Sequence, residues 1–160
     1  MICSSELRGY EYLQFSGQNA FFGNAELRFP LIDAMATPIG ILGGVRATLF
    51  AGIGGASFEG QPFKFWRTDT TLEQPIVGYD NITQEVIYGP AVPVSGLRLV
   101  DGRGSYGISL STFALGFPLH FDWSWRTLFN KEWEDVTFHL SGGSETFRRP
   151  KFTMWIGYDW

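Results

Sequence analysis

Few side chains in this sequence combine a residue type and a spacing suited to chemistry. His120 and Asp122 stand two residues apart, so a strand would place them on one face, and His139 stands alone. A lone histidine on a polar strand face is more often structural than catalytic, and no metal-ligand spacing or phosphate-binding loop is present. Cys3 is the only cysteine, which excludes an intramolecular disulfide. We therefore expect no enzyme activity, no metal site and no cofactor.

The composition points to strands and turns as the elements that position these side chains. Aromatic residues make up 17% of the chain, charged residues make up 18%, and there are 20 glycines, a mixture that favours strands over helices. The formal net charge is −4, and the twelve Lys and Arg residues are dispersed along the chain. A nucleic-acid partner needs a clustered basic face, so we expect no nucleic acid to bind.

Five segments alternate apolar and polar residues with a period of two, which is typical of strands. They are residues 24–31, 45–53, 101–112, 119–126 and 152–160. Between them the sequence predicts a connection over residues 32–40, a long outer loop over 59–95, a tight turn at 116–118 and an irregular polar stretch over 128–150. Short and long connections thus alternate, as they do in outer-membrane barrels.

The acidic and basic residues of these segments, histidine included, all fall on the face opposite the apolar side chains. They are Glu26, Arg28, Arg46, Asp101, Arg103, His120, Asp122, Arg126 and Asp159. A charge facing lipid in the middle of a membrane costs roughly 2–4 kcal/mol, so this segregation suits strands that touch lipid on one side. We expect an all-β fold, an antiparallel curved sheet of about five long strands that forms the C-terminal part of a transmembrane β-barrel, with outer-membrane lipid against its apolar face.

A soluble ligand-binding barrel or sandwich shows the same alternation and stays open as an alternative. Such a fold needs a second layer over its apolar face, and the sequence shows no amphipathic helix to supply one. The residues from Met1 to Glu6 carry no basic segment, apolar core or cleavage site of an export signal. This start predicts either a protein that stays inside the cell or a fragment of a longer one.

Three motifs, in this order along the chain, carry a resemblance to a known family. The first is Arg8-Gly9-Tyr10 after Leu7, the second is the segment 23–30 with Glu26 at its centre, and the third is the closing segment with Phe152, Ile156, Gly157, Tyr158 and Trp160. With these motifs the chain resembles the C-terminal part of the BamA/TamA-type outer-membrane assembly family, the bacterial surface antigens.

The resemblance implies a sixteen-stranded barrel of which this chain supplies the end. Residues 1–19 would form a loop folded into the barrel, and residues 20–160 would form the last five strands with their loops. Arg8 would pair with Glu26 to anchor the loop, although an ordinary solvated loop arginine is the alternative. The family carries a Phe-x-Asp-x-Gly pattern on the next strand. Here the matching run begins at Phe50 and has Gly52 in place of the Asp.

The resemblance also implies a function without chemistry, namely outer-membrane protein assembly or translocation. Its partners would be outer-membrane lipid, the missing N-terminal strands of the barrel and unfolded outer-membrane proteins as clients, and the closing-strand aromatics would resemble the signal read by the assembly machinery. A small pore or adhesin barrel and the membrane anchor of a larger fusion protein are the membrane alternatives. Each of these functions places the chain in the bacterial outer membrane.

Overall fold

The computed structural model describes residues 3–4, 7–10, 16–38, 40–114 and 116–157. Most of these residues lie in strands. In chain order the strands are β1 (Cys3–Ser4), β2 (Ser16–Gly17), β3 (Asn19–Thr37), β4 (Gly40–Ser57), β5 (Trp66–Arg67), β6 (Thr71–Glu73), β7 (Ile76–Tyr79), β8 (Val86–Tyr88), β9 (Val92–Val94), β10 (Arg98–Leu99), β11 (Gly102–Ala114), β12 (Phe117–Thr127) and β13 (Lys151–Ile156). Two short helices, α1 (Lys131–Thr137) and α2 (Gly143–Phe147), flank a 3₁₀ turn at His139–Ser141.

The five longest alternating segments form one antiparallel sheet in the order β3-β4-β11-β12-β13. This confirms the predicted mostly-β fold and the five-stranded antiparallel sheet. Each strand of this sheet pairs with the strand of the sheet that comes next along the chain, although residues 58–101 intervene between β4 and β11. The sheet is open, since among the described residues neither the outer edge of β3 nor that of β13 pairs with a further strand.

The connections of this sheet divide by length between its two ends. The tight turns between β3 and β4 and between β11 and β12 lie at one end, which we call the turn end. The long connections, residues 58–101 and 128–150, lie at the other end, which we call the loop end. Gly116 has a φ of +86° in the second tight turn, a left-handed conformation that glycine adopts without strain.

The connection predicted over residues 32–40 is wrong, because the strands on both sides of it are longer than the alternation suggests. β3 runs on to Thr37 and β4 begins at Gly40. The pairing register shifts between Pro30 and Ile32, which marks a bulge where the proline has no N–H to donate. The bulge breaks the period of two in the sequence, and for that reason the pattern predicts a strand end where the strand continues.

The long loop predicted over residues 59–95 is instead a paired structure. Residues 66–99 fold back on themselves in three short antiparallel ladders, β5 with β10, β6 with β9 and β7 with β8. We call this segment the arm. At its tip the Asp80 carboxylate accepts a hydrogen bond of 2.8 Å from the Ile82 backbone N–H, which closes the turn. These strands have two to four residues each, too few to show a period in the sequence.

The stretch predicted as irregular, residues 128–150, contains the two short helices. Asn130 caps α1 by accepting a hydrogen bond of 3.0 Å from the Trp133 N–H. The buried carboxylate of Glu134 then binds Arg148 beyond α2, with 3.1 Å between Oε1 and Nη2. Both helices are too short for a helical period of apolar residues to be recognised in the sequence. No helix in the described part of the chain is long and apolar enough to cross a membrane.

Candidate functional site

The strand register arranges the side chains of the sheet in cross-strand rows, with polar rows on one face and apolar rows on the other. The rows of the polar face are Glu26-Phe50-Gly107-Ser124-Lys151, Arg28-Thr48-Ser109-Asp122-Thr153 and Pro30-Arg46-Ser111-His120-Trp155. The rows of the apolar face include Leu27-Leu49-Ile108-Trp123-Phe152 and Phe29-Ala47-Leu110-Phe121-Met154. The segregation of charge predicted from the sequence therefore holds across all five strands.

The two faces differ in burial, and in the sense opposite to that of a soluble sheet. On the polar face Ser105, Ser109 and Ser124 are buried. On the apolar face Leu27 is 63% exposed and Met154 is 59% exposed. Water-soluble sheets bury their apolar face and expose the polar one. The chain therefore covers the loop end of the polar face with its own residues and leaves apolar side chains such as Leu27 and Met154 uncovered.

The tip of the N-terminal hairpin, residues 7–10, covers the loop end of the polar face. The hairpin is closed at its base by pairing of β1 with β2. Gly9 has a φ of +94°, and a Cβ there would lie 3.0 Å from the Ser124 hydroxyl oxygen, so both conformation and space require glycine. The Tyr10 hydroxyl donates a hydrogen bond of 3.1 Å to the Gly104 carbonyl. Burial raises the pKa of the Tyr10 phenol above its ordinary value.

Arg8 and Glu26, the two residues that the resemblance pairs, lie together in the structure. Arg8 Nη2 is 3.2 Å from Glu26 Oε1. The guanidinium also lies over the ring of Phe50, 4.9 Å from its centroid, and Phe50 is the cross-strand partner of Glu26. Arg28 Nη2 contacts the other carboxylate oxygen at 2.6 Å. One carboxylate therefore holds the loop tip and its own strand neighbour at once.

Leu7 explains why glycine stands where the family pattern has an aspartate. A Cβ at Gly52 would lie 2.8 Å from Leu7 Cδ2, and a Cβ at Gly54 would lie 2.8 Å from Leu7 Cδ1. Leu7 is 5% exposed and fills the space above both glycines. The tip is thus held by an apolar contact at the position where the resembled family has an acidic side chain, and among the described residues Glu26 supplies the carboxylate that Arg8 binds.

Residues 128–150, which we call the helical segment, form a small apolar cluster with the base of the arm, next to the loop tip. Leu99, Leu128 and Phe147 are buried there, with Tyr10 packed against them. The Arg126 guanidinium reaches from the polar face of β12 to this cluster and lies over the Phe147 ring, 4.9 Å from its centroid. The loop tip, β12 and α2 are therefore joined in one packed unit at the loop end.

The closing-strand residues fall into two groups. Tyr158 and Trp160 lie outside the described residues. Phe152 and Ile156 lie on the apolar face, 54% and 62% exposed. Gly157 follows the end of β13, and its carbonyl is 2.9 Å from His120 Nε2. The predicted last strand over residues 152–160 is thus described only as Lys151–Ile156, one residue earlier at its start.

A polar network on β12 ties β13 to the rest of the sheet. One carboxylate oxygen of Asp122 accepts a hydrogen bond from the Ser109 hydroxyl, and the other accepts one of 2.9 Å from the Trp155 indole N–H. The His120 ring stacks on the Trp155 ring with 3.8 Å between centroids. Asp122 is thus bonded to a serine and a tryptophan, and His120 lies within hydrogen-bond distance of a backbone carbonyl.

Sequence reasoning missed Leu7, the Asp122–Trp155 contact and the Glu134–Arg148 ion pair. Gly52 and Gly54 stand two residues apart on the polar face of β4, so neither fills the space above that face. This spacing is the one sequence signal that a side chain from elsewhere lies there. Groups of three or more metal-ligating side chains do not occur among the residues that the structure describes. Comparison of the chain with protein-family models, with curated proteins and with solved structures gave no match.

Proposed function

We propose that this chain is the C-terminal part of an outer-membrane β-barrel of the BamA/TamA type and serves outer-membrane protein assembly or translocation, with no chemistry of its own. The observation that carries the membrane part is the reversed burial of the sheet. Apolar-face residues such as Leu27 on β3, Leu49 on β4 and Met154 on β13 stay exposed. Contact of these side chains with lipid carries no free-energy cost, whereas their exposure to water is unfavourable.

Strand length and aromatic placement support the same location. β12 has 11 residues and β11 has 13, and about 9–11 residues suffice to cross a bilayer at the usual tilt. Aromatic side chains gather near the loop end, where Phe21 lies 5.2 Å from Phe65 between ring centroids, and Phe117 is exposed at the turn end. Membrane barrels carry aromatic girdles at both interfaces.

The topology limits what can complete the barrel. β3 and β13 are the first and last of five antiparallel strands, so they run in the same direction. A second copy of this chain inserted in the same orientation would pair its β3 with β13 in parallel. A complement that keeps every pair antiparallel must contribute an odd number of strands, which gives the even total of bacterial barrels. Missing N-terminal strands of a longer protein meet this condition.

The assembly role rests on the anchored loop and on the free edge of β13. The Arg8-Gly9-Tyr10 tip lies against the polar face and is held by Glu26, as the family resemblance implies. β13 presents backbone N–H and C=O groups along its outer edge, onto which an extended client segment could add as a further strand. This edge is where we expect unfolded outer-membrane proteins to bind.

The membrane proposal is tested by moving one charge between the two faces. Leu110→Lys places a charge in the middle of the apolar face, and Thr48→Lys places the same charge on the polar face. We expect the 160-residue chain to aggregate without detergent and to associate with lipid vesicles. Leu110→Lys should weaken that association strongly, since the charge costs roughly 2–4 kcal/mol, and Thr48→Lys should not. A detergent-free monomer with a cooperative melt contradicts the proposal and favours the soluble alternative.

The assembly proposal needs its own test, because a passive pore or an anchor would pass the first one. The detergent-folded chain is mixed with a peptide of the last strand of an outer-membrane protein, with a scrambled peptide as control. We expect slower amide exchange along β13 with the true peptide only. Equal exchange with both peptides contradicts the assembly role and leaves the membrane location intact.

A further inference from the structure

A cavity of about 460 Å³ opens on the polar face near the turn end, away from the loop tip. β3, β4, β11 and β12 all contribute to its walls. Its lining includes Arg28, Arg46, Thr48, Ser111 and His120. This volume lies within the range of small-ligand sites, about 300–1,000 Å³. Arg28 alone among the five lining residues named above also takes part in the loop anchoring, through Glu26.

The cavity carries more positive than negative charge. Arg28 pairs across the strands with Thr48 and Arg46 pairs with Pro30, so the two guanidinium groups start from diagonal positions on adjacent strands. Arg28 shares the Glu26 carboxylate with Arg8. Among the described residues Arg46 makes no ion pair, and Asp33 is the one carboxylate of the described lining. An anion entering the cavity would therefore meet a guanidinium without a counter-charge.

Hydroxyl groups and apolar walls complete the lining. Ser111 pairs with Arg46 on one side and with His120 on the other, so a hydroxyl stands between a guanidinium and an imidazole in one row. His120 is 7% exposed and is fixed by its stacking on Trp155. Pro30 stands at the β3 end of this row and Pro118 lies on β12, and both contribute apolar surface to the cavity. The site thus offers several hydrogen-bond donors beside an apolar wall.

We propose that this cavity binds the phosphate group of a small phosphate ester whose organic part lies against the apolar surface that Pro30 and Pro118 contribute. A phosphate monoester presents three terminal oxygens, which suits two guanidinium groups and two hydroxyls better than the two oxygens of a carboxylate do. Arg46 binds the anion directly, because its guanidinium can form paired hydrogen bonds to oxyanions. The site needs only the strand register of the sheet, so it does not depend on the proposed membrane function.

The two histidines of the chain allow a test that resolves the site. His120 lines the cavity, and His139 lies exposed in the 3₁₀ turn at the loop end. The full chain, labelled in histidine and folded in an uncharged maltoside detergent, is titrated at constant pH with hexyl phosphate and the imidazole resonances are followed by NMR. We expect a saturable shift of His120 and none of His139. No shift, or equal shifts of both, overturns the proposal.

Variants and probe choice then test the assigned contacts. Arg46→Gln should weaken hexyl phosphate binding by about tenfold or more, and Arg149→Gln, an exposed arginine beyond α2, should leave it unchanged. Equal affinity of Arg46→Gln and the parent overturns the assignment, as does inorganic phosphate binding as tightly as the ester. Dihexanoyl phosphatidic acid is run in parallel. Binding of either ester supports the site, and the tighter one identifies a lipid headgroup or a soluble ester as the source.

Discussion

Leu7 occupies the space above Gly52 that any side chain at position 52 would need. The distance from an added Cβ to Leu7 Cδ2 would be 2.8 Å, which is closer than side chains pack. The contact joins the N-terminal hairpin to β4, two segments more than 40 residues apart in sequence. It makes the loop tip a packed part of the sheet, independent of the ion pair beside it.

Filling this space should displace the tip. We expect Gly52→Val to destabilise the folded chain by about 1–3 kcal/mol, the usual cost of overpacking, and to speed tryptic cleavage after Arg8. Urea unfolding in detergent and the rate of that cleavage measure the two effects. In a Leu7→Ala background the same substitution should cost much less, since the conflicting side chain is gone.

Gly23→Val is the matched control for this prediction. A Cβ at Gly23 would meet only Ile53 Cγ2, at 4.0 Å, an ordinary van der Waals distance. The folded chain should therefore tolerate valine at that position. An equal loss of stability in Gly23→Val and Gly52→Val would mean that the strands, and not the tip, respond to the added side chain.

Removing the charge of Glu26 should weaken the contact between the loop tip and the sheet, because it breaks the ion pair with Arg8. Glu26→Gln leaves Arg8 and Arg28 without their shared carboxylate. We expect the free energy of unfolding to fall by about 1.5 kcal/mol, the low end for hydrogen bonds to charged groups, because Arg28 remains open to solvent. Tryptic cleavage after Arg8 should accelerate. Glu145→Gln, an exposed residue of α2, is the control, and matching cleavage rates in the two variants would refute the anchoring role of Glu26.

The hydrogen bonds of Asp122 should stabilise the packing of β13 against β12. In Asp122→Asn one of the two oxygens that accept from Ser109 and Trp155 becomes an NH₂ group. A buried donor is then left without an acceptor, which costs about 1–3 kcal/mol. We expect faster amide exchange in β13 and little change in β3 and β4. Asp33→Asn is the control, and uniform exchange changes across the sheet would contradict a local attachment.

The acid stability of the helical segment should depend on Asp135. Burial opposes ionisation of this carboxyl, yet the hydrogen bond from the Ser144 N–H and the charges of Lys131 and Arg148 outweigh it and lower the pKa of Asp135 below its ordinary value. A lowered pKa in the folded state stabilises the fold above the pKa of the unfolded chain, near pH 4, and this stabilisation is lost as the pH falls through the folded value.

NMR of the Ser144 amide measures this titration, because its N–H donates to the Asp135 carboxylate at 2.7 Å. We expect the amide shift to titrate with a midpoint below the ordinary range of an aspartate. In Asp135→Asn the acidic transition of this amide should disappear. A midpoint at or above the ordinary range would show that burial, and not the hydrogen bonds, decides the ionisation of this carboxyl.

The features that the sequence predicts well are those that neighbouring residues determine. Alternation with a period of two is a local property of strands, so the five strands and the polarity of their faces follow from segments of eight to twelve residues. The row Arg28-Thr48-Ser109-Asp122-Thr153 is polar throughout because each strand separately places its polar residues on that face. The position of Arg8 against Glu26 is different, since only the family resemblance predicts that pair.

Contacts between distant segments were decided by the tertiary structure alone. Trp66 pairs with Leu99 at the base of the arm, and Glu134 reaches Arg148 across the helical segment, through partners that no local pattern identifies. The bulge after Pro30 extends β3 because β4 continues to pair with it. Leu7 finds its place only when Gly52 and Gly54 are held side by side in a formed strand. Short elements such as these gain their stability from packing, so their residues carry little signal until the chain has folded.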